Sequence, residues 1–334
     1  MPLTLTGLEF ADETLSESVR DGLERVERRL LDAVGSDFDL VGEPARYLVE
    51  AGGKRFRPLL TLLAAHLGDN PSAPEVVEAA VVVELTHLAT LYHDDVMDEA
   101  SVRRGAESAN SRWSNTVAIL TGDFLFSRAS SVLAELGPEA VLIQARTFER
   151  LVTGQIRETA GPPPGTDRVD HYLRVLDEKT GSLIATCARF GGLFGGAPAP
   201  VVEVLRRYGE AIGIAFQLSD DLLDVASESA ESGKTPGTDL REGVYTLPVL
   251  YALRSPAADR SSARLHELLS DLPPDESSID EALTLLRRSP AMDQARAVLL
   301  AHADRARAVL DDLPDLPARG ALLALADYVV ARTG

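Results

Sequence analysis

Residues 72–98 read SAPEVVEAAVVVELTHLATLYHDDVMD. Ser72-Ala73-Pro74-Glu75 has the form of a capping box with proline in the first turn, so a helix is expected to open here. It can run to about Asp98, and roughly 26 residues at ~1.5 Å each make a rod of ~39 Å, long enough for a central core helix. Its middle, 79–83, is apolar on every side, as a fully buried helix should be. The rod ends in an acidic pentad, Asp94-Asp95-Val96-Met97-Asp98. The first and last carboxylates are four residues apart and leave a helix on the same face.

The pentad has a second copy, Asp220-Asp221-Leu222-Leu223-Asp224, at the end of another apolar stretch opened by Pro200 and Val201. Between and after the two, breakers cut the chain into lengths suited to helices. Gly161-Pro162-Pro163-Pro164-Gly165 and the stretch 191–200 each end a helix, and Leu272-Pro273-Pro274-Asp275 separates a C-terminal amphipathic pair. Residues 228–243, rich in Ser, Glu and Gly, read as a mobile loop. Hydrophobic residues make up 45% of the chain but aromatics only 5%, a balance that favours packed helices over sheets. No composition shift marks a second domain. The expectation is an all-α fold, a single domain over 1–334 with a central cavity between its long helices.

Carboxylates grouped on an otherwise apolar face cost stability unless a cation sits there. They also have the wrong sign for a helix C-terminus, which weakens the bland reading of solvated charge at helix ends. Hard oxygen ligands suit Mg²⁺, which keeps waters and is usually completed by substrate phosphates. Focused basic loops lie near both pentads in a chain with 33 basic and 52 acidic residues and formal charge −19. Gly52-Gly53-Lys54-Arg55-Phe56-Arg57-Pro58 places three cations in four residues, and Arg103-Arg104-Gly105 follows the first pentad. His87, two helical turns before Asp94, looks out on the same face. Gln217 stands one turn before Asp220; Lys179-Thr180 lies between the pentads and Lys234 beyond the second. Metal-holding carboxylates beside separate cationic clusters suggest two anionic phosphate groups, one bound through metal and one directly. His87 as a core histidine, Arg103 and Arg104 as exposed charges, and Lys179 paired with Asp177 or Glu178 are the structural alternatives.

In this order the motifs resemble the trans-isoprenyl diphosphate synthases, head-to-tail prenyltransferases with two aspartate-rich motifs, over nearly the whole chain. The likeness is greatest to the bacterial long-chain polyprenyl diphosphate synthases that supply quinone tails. The resemblance implies condensation of isopentenyl diphosphate with an allylic diphosphate: the allylic substrate ionises to a carbocation and pyrophosphate, the isopentenyl double bond attacks, and a proton is lost. It implies that Asp94, Asp98 and Asp220 hold Mg²⁺ ions, supported by Asp95, Asp221 and Asp224. Arg103, Lys179 and Lys234 would neutralise the allylic diphosphate. Lys54, Arg57, His87 and Arg104 would grip isopentenyl diphosphate, with Thr180 and Gln217 along the developing cation. One departure is Val244, where many relatives carry Lys. A terpene cyclase would pair the first pentad with a second motif mixing Asn, Ser or Thr with Glu. A non-catalytic regulatory subunit would usually lose one pentad, and a calcium-binding protein would need different loop spacing.

A growing chain would descend from Asp94 along its helix toward the N-terminus, past Thr90 and Ala89, then Thr86, then Val83 and Val82, then Ala79. Each turn of ~5.4 Å admits about one isoprene unit. Short-chain relatives place an aromatic near Ala89 or Thr90. The small residues here imply a long all-trans product, unless they serve close helix packing with Phe124 or Phe126 plugging the space; a short-chain farnesyl or geranylgeranyl product is the alternative. The remaining expectations are coarser. Cys187 is the single cysteine, so there is no disulfide framework; it reads as a buried hydrophobe. The N-terminus lacks a signal-peptide pattern and no uncharged apolar run nears ~20 residues, so a cytoplasmic protein without a transmembrane segment is expected. The acidic surface argues against nucleic acid. A homodimer is expected from the apolar helix faces and the resemblance.

Overall fold

Helical periodicity is realised along the chain in the computed structural model, which describes residues 10–36, 38–227, 236–270 and 273–332. In order come α1 (Glu13–Ala33), α2 (Asp39–Glu50), α3 (Phe56–Ala65), α4 (Pro74–Met97), strands β1 (Val102–Arg103) and β2 (Ala106–Glu107), α5 (Ala109–Arg112), α6 (Asn115–Leu136), α7 (Pro138–Ala160) and α8 (Arg168–Leu176). A π-helical turn, Asp177–Gly181, leads into α9 (Ser182–Phe194) and α10 (Ala199–Ala226). Then follow α11 (Thr238–Arg241), α12 (Leu247–Arg254), α13 (Arg260–Leu269), α14 (Glu276–Arg287), α15 (Pro290–Val309) and α16 (Pro317–Ala331). The fold is all-α; the one strand pair described is a two-residue ladder. Contacts gather the chain into two compact units, residues 1–149 with 183–209 and 309–325, and residues 150–182 with 210–308 and 326–334.

In the first unit α4 is the core, packed by α1, α3 and above all α6. Ala79, Ala80, Val81, Val82 and Val83 are each 0% exposed, so the all-round apolar stretch is buried on all sides. The helix begins one residue later than the capping box requires. Its N-cap is Ala73, extended at φ −54° and ψ 141°, with no side-chain cap. Proline at 74 excludes helical geometry from the residue before it, so Ala73 takes the cap position and Ser72 falls outside. Where α3 meets α9, a Cβ on Gly191 would lie 2.1 Å from the Thr61 carbonyl oxygen, so the two backbones approach at a distance only glycine allows. By length and composition α4 and α6 each pass as membrane spans, although neither is an uncharged run, since Glu78 and Glu84 interrupt α4 and Asp123 and Arg128 interrupt α6. For α4 the apolar length is used in this core, with 72% of its most apolar window buried, against 39% for α6.

The second unit has its own core, formed by Val225 of α10, Leu240 of α11, Val249 of α12, Leu265 and Leu269 of α13, and Ile279, Leu283 and Leu286 of α14. The second half of α7 lies against the π turn at Gly154, where a Cβ would come within 2.6 Å of the Lys179 nitrogen. Residues 228–235 lie outside the described set. The rest of the segment expected to be a mobile loop contains the helical turn α11, and the reason is found in the second pentad.

Candidate active site

The first pentad closes α4. Asp94 is half-buried, Asp95 is fully buried, and Asp98 is the exposed C-cap, its N–H bonded to the Asp94 carbonyl at 2.8 Å. Arg103 Nε donates to Asp95 Oδ1 at 2.5 Å. Burial nonetheless holds the Asp95 carboxyl above its ordinary range, with Arg103 opposing the shift. The chain turns sharply after the helix: Glu99 adopts φ 50°, and Arg104 (φ 55°) and Gly105 (φ 77°) form the two-residue turn between β1 and β2. Positive φ at both positions is what a type I′ hairpin demands.

Arg104 points back to the glycine-rich loop. Its NH1 donates to the Leu48 carbonyl at 2.8 Å and to the Gly52 carbonyl. Arg55, adopting φ 45°, is buried in an ion-paired network with Glu84 of α4 and Glu27 of α1, and also holds the Val49 carbonyl. Arg55, Glu99 and Arg104 are the only non-glycine residues with positive φ among those described, and all border these motifs. Such conformations persist only where surroundings impose them. His87, on α4, is held neutral, its pKa well below the usual histidine value. Burial is the main cause, followed by the charges of Arg57, Arg104, Arg103 and Arg55. Thus Arg57, His87, Arg103 and Arg104 share one electrostatic environment, while Lys54 sits exposed in the loop before α3. Cys187 is fully buried and its thiol is pushed up to about 12, as an inert packing residue.

In the second unit, Thr180 Oγ1 donates to Gln217 Oε1 at 3.3 Å, and Gln217 Nε2 donates to Asp221 Oδ1 at 2.9 Å. Tyr172 Oη donates to Asp221 Oδ2. Burial pushes the Asp221 carboxyl above its ordinary range against both hydrogen bonds. Asp224 accepts the backbone N–H groups of Thr238 (3.0 Å) and Asp239 (3.1 Å). It thereby caps the first turn of α11, which is why this part of the expected loop is helical. Arg332 pairs with Asp220 and lies over the Phe216 ring at 5.0 Å. Lys179 Nζ pairs with Glu158, whereas Asp177 pairs with Arg150 and Glu178 with Arg157 and Arg174. Both neighbouring partners anticipated for Lys179 are therefore taken by other cations. Its π turn is a local geometry that recurs at functional sites. Lys234 lies outside the described residues.

Along the wall below Asp94, Ala89 and Thr86 are fully buried and Thr90 is half-buried. The Thr86 hydroxyl donates to the Val82 carbonyl and accepts from Gln144 Nε2, both at 2.8 Å. Its own backbone and Gln144 thus satisfy the hydroxyl, as the alternative of close helix packing requires. Phe126 packs edge-on to Phe148 at 4.5 Å and lies 5.8 Å from His93.

Among the described residues no group of three or more His, Cys, Asp or Glu side chains forms a ready-made metal cage. The pentads nonetheless fit Mg²⁺. Their donors are hard oxygens, the ion needs only one or two carboxylates when phosphates complete its shell, and Asp95 Oδ2 is buried with no hydrogen-bond partner. Sequence reasoning missed Glu84, Tyr92, Glu158, Tyr172 and Arg332. Glu84, a carboxylate inside the apolar stretch 79–92, carried a readable signal; the others carried none.

A family model for polyprenyl synthetase matches residues 38–286. The chain is 52% identical over 330 residues to a nonaprenyl diphosphate synthase of Mycobacterium tuberculosis, covering 99% of this chain and 98% of that protein. Geranylgeranyl pyrophosphate synthase from Corynebacterium glutamicum, crystallised with calcium and isoprenyl diphosphate, superposes with TM-score 0.87 at 44% identity, over 98% of this chain and 100% of that one. A decaprenyl diphosphate synthase from Rhodobacter capsulatus gives TM-score 0.85 at 36% identity, over 96% and 99%.

Proposed function

The chain belongs to the polyprenyl synthetase family and is a prenyltransferase, and from that premise we propose that it is a Mg²⁺-dependent synthase of a long-chain all-trans polyprenyl diphosphate. Its substrates are isopentenyl diphosphate and an allylic diphosphate, and its product has the length used for a quinone side chain, made in the cytoplasm. The observation that carries the reading is that Arg103 is bonded to Asp95 of the first pentad while Arg104 beside it is bonded to the Gly52 carbonyl of the basic loop, which joins the cationic motifs to the helix that ends in Asp94 and Asp98.

Asp94, Asp98 and Asp220 would hold the metal ions for the allylic diphosphate. Bound Mg²⁺ supplies Lewis-acid charge to the leaving diphosphate. Asp95, Asp221 and Asp224 act through the contacts described: on Arg103, on Tyr172 and Gln217, and on the start of α11. Arg103, Lys179 and Lys234 neutralise the allylic diphosphate. Lys54, Arg57, His87 and Arg104 bind isopentenyl diphosphate directly, and Thr180 and Gln217 lie along the developing cation. The whole chain, 1–334, works as one catalytic domain. Ile119 and Leu120 on α6 and Val141 and Leu142 on α7 are exposed apolar side chains, and a second copy of the chain covers them in a homodimer.

The nonaprenyl and decaprenyl synthases among the relatives support the long product. A geranylgeranyl-length product is the second reading, favoured by the Thr86–Gln144 bond across the tunnel wall. Mass analysis of the product formed from isopentenyl diphosphate with each short allylic primer, with Mg²⁺ and with excess EDTA, tests the proposal. The expected product is longer than geranylgeranyl and requires the metal. A product that stops at geranylgeranyl length selects the second reading, and no condensation with any primer rejects both.

A further inference from the structure

Two residues before Asp94, the side chain of Tyr92 is fully buried. Its Oη accepts the Leu48 N–H at 3.3 Å and donates to the Pro44 carbonyl. These two groups are four residues apart on α2, the ordinary partners of one helical hydrogen bond. The phenol therefore bridges the ends of a single turn, in a helix already lacking a donor at Pro44. Leu48 in turn presents its own carbonyl to Arg104 NH1 at 2.8 Å. One peptide residue is held from above by the helix of the first pentad and holds, through its other end, an arginine of the basic cluster.

A phenylalanine would fill the same volume without burying a hydroxyl, and α2 can close the Leu48–Pro44 bond unaided. Packing alone thus gives no reason for the oxygen. What it changes is where the Leu48 peptide sits, and hence where the Arg104 fork points. Arg104 has five donors, more than the Leu48 and Gly52 carbonyls take up; its NH2 faces Glu84 at 3.9 Å, and the Leu48 carbonyl is one of the anchors that set the direction of the fork.

We infer that Tyr92 is a positioning residue for the isopentenyl diphosphate site, acting through the Leu48 carbonyl on Arg104; the inference rests on the reading of Arg104 as a ligand of that diphosphate. It makes the helix that ends in the first aspartate motif also the part that aligns the metal-free diphosphate site.

The experiment is a double-mutant cycle in the full chain with Tyr92→Phe and Arg104→Gln. Isopentenyl diphosphate binding is read by calorimetry without metal, and KM for both substrates is read in turnover. Tyr92→Phe is expected to weaken isopentenyl diphosphate binding about five- to tenfold, with the allylic KM changed by less than about twofold and the melting temperature nearly kept. In the Arg104→Gln background it should add almost nothing, because coupled residues are not additive. Unchanged binding in Tyr92→Phe, effects that simply add, equal losses for both substrates with a lowered melting temperature, or failure of the variant to fold would each overturn the inference. If Arg104→Gln itself leaves binding unchanged, the reading of Arg104 fails and takes the inference with it. If only Tyr92→Phe is silent, the inference alone fails.

Discussion

Tyr172 and Asp221, 49 residues apart in sequence, are joined by a buried hydrogen bond from the phenol to Oδ2 of the carboxylate. Gln217 takes the other oxygen, so both oxygens of the second pentad's middle carboxylate are engaged by the protein. Removing the phenolic hydroxyl by Tyr172→Phe leaves one oxygen of a buried carboxylate without its donor. The expected cost is about 1–3 kcal/mol, read as a lower urea midpoint at unchanged slope. A midpoint equal to that of the wild type would show that Asp221 finds another partner.

Direct metal ligands should behave differently from such supported carboxylates. Asp94→Ala and Asp220→Ala are each expected to abolish nearly all turnover at saturating Mg²⁺ while keeping the helical circular dichroism, because each removes a ligand that charge development in the reaction requires. Tyr172→Phe, by contrast, should keep measurable turnover. Near-normal rates for both alanine variants would reject the metal assignment.

His87 gives the pH dependence a definite sign. Its folded pKa lies well below the usual histidine value, because of burial and the surrounding arginines. Below about pH 6.5 the unfolded chain therefore binds a proton that the folded chain does not, and stability falls as pH falls. Above that pH this contribution is flat. Denaturant unfolding between pH 5 and 8 should show the decline, and His87→Asn should reduce it. Near or below pH 6.5, binding of an anionic diphosphate beside His87 should take up protons, seen as a buffer-dependent binding enthalpy. A buffer-independent enthalpy there would place the anion elsewhere.

Product length is expected to respond to the wall of α4. Ala89→Phe adds bulk at a fully buried position, with an overpacking cost of about 1–3 kcal/mol. The substitution should shorten the product to about three or four isoprene units by the one-turn argument. An unchanged product distribution in a folded Ala89→Phe variant would remove this helix face from the path of the chain.

Sequence by itself determined what depends on near neighbours. The spacing of apolar residues made α4 a core helix, and the i,i+4 spacing put the outer carboxylates of each pentad on one face, because helix periodicity is fixed by backbone geometry alone. The cationic loops were legible as clusters for the same local reason. The tertiary structure decided which group meets which. Arg55 joins Glu84 across 29 residues and Arg332 joins Asp220 across 112; Asp224 reaches forward to cap α11. Thr86 is satisfied by Gln144, 58 residues away. Buried charges and hydroxyls must find partners somewhere, but their identity depends on which helices pack together, and no local spacing encodes that.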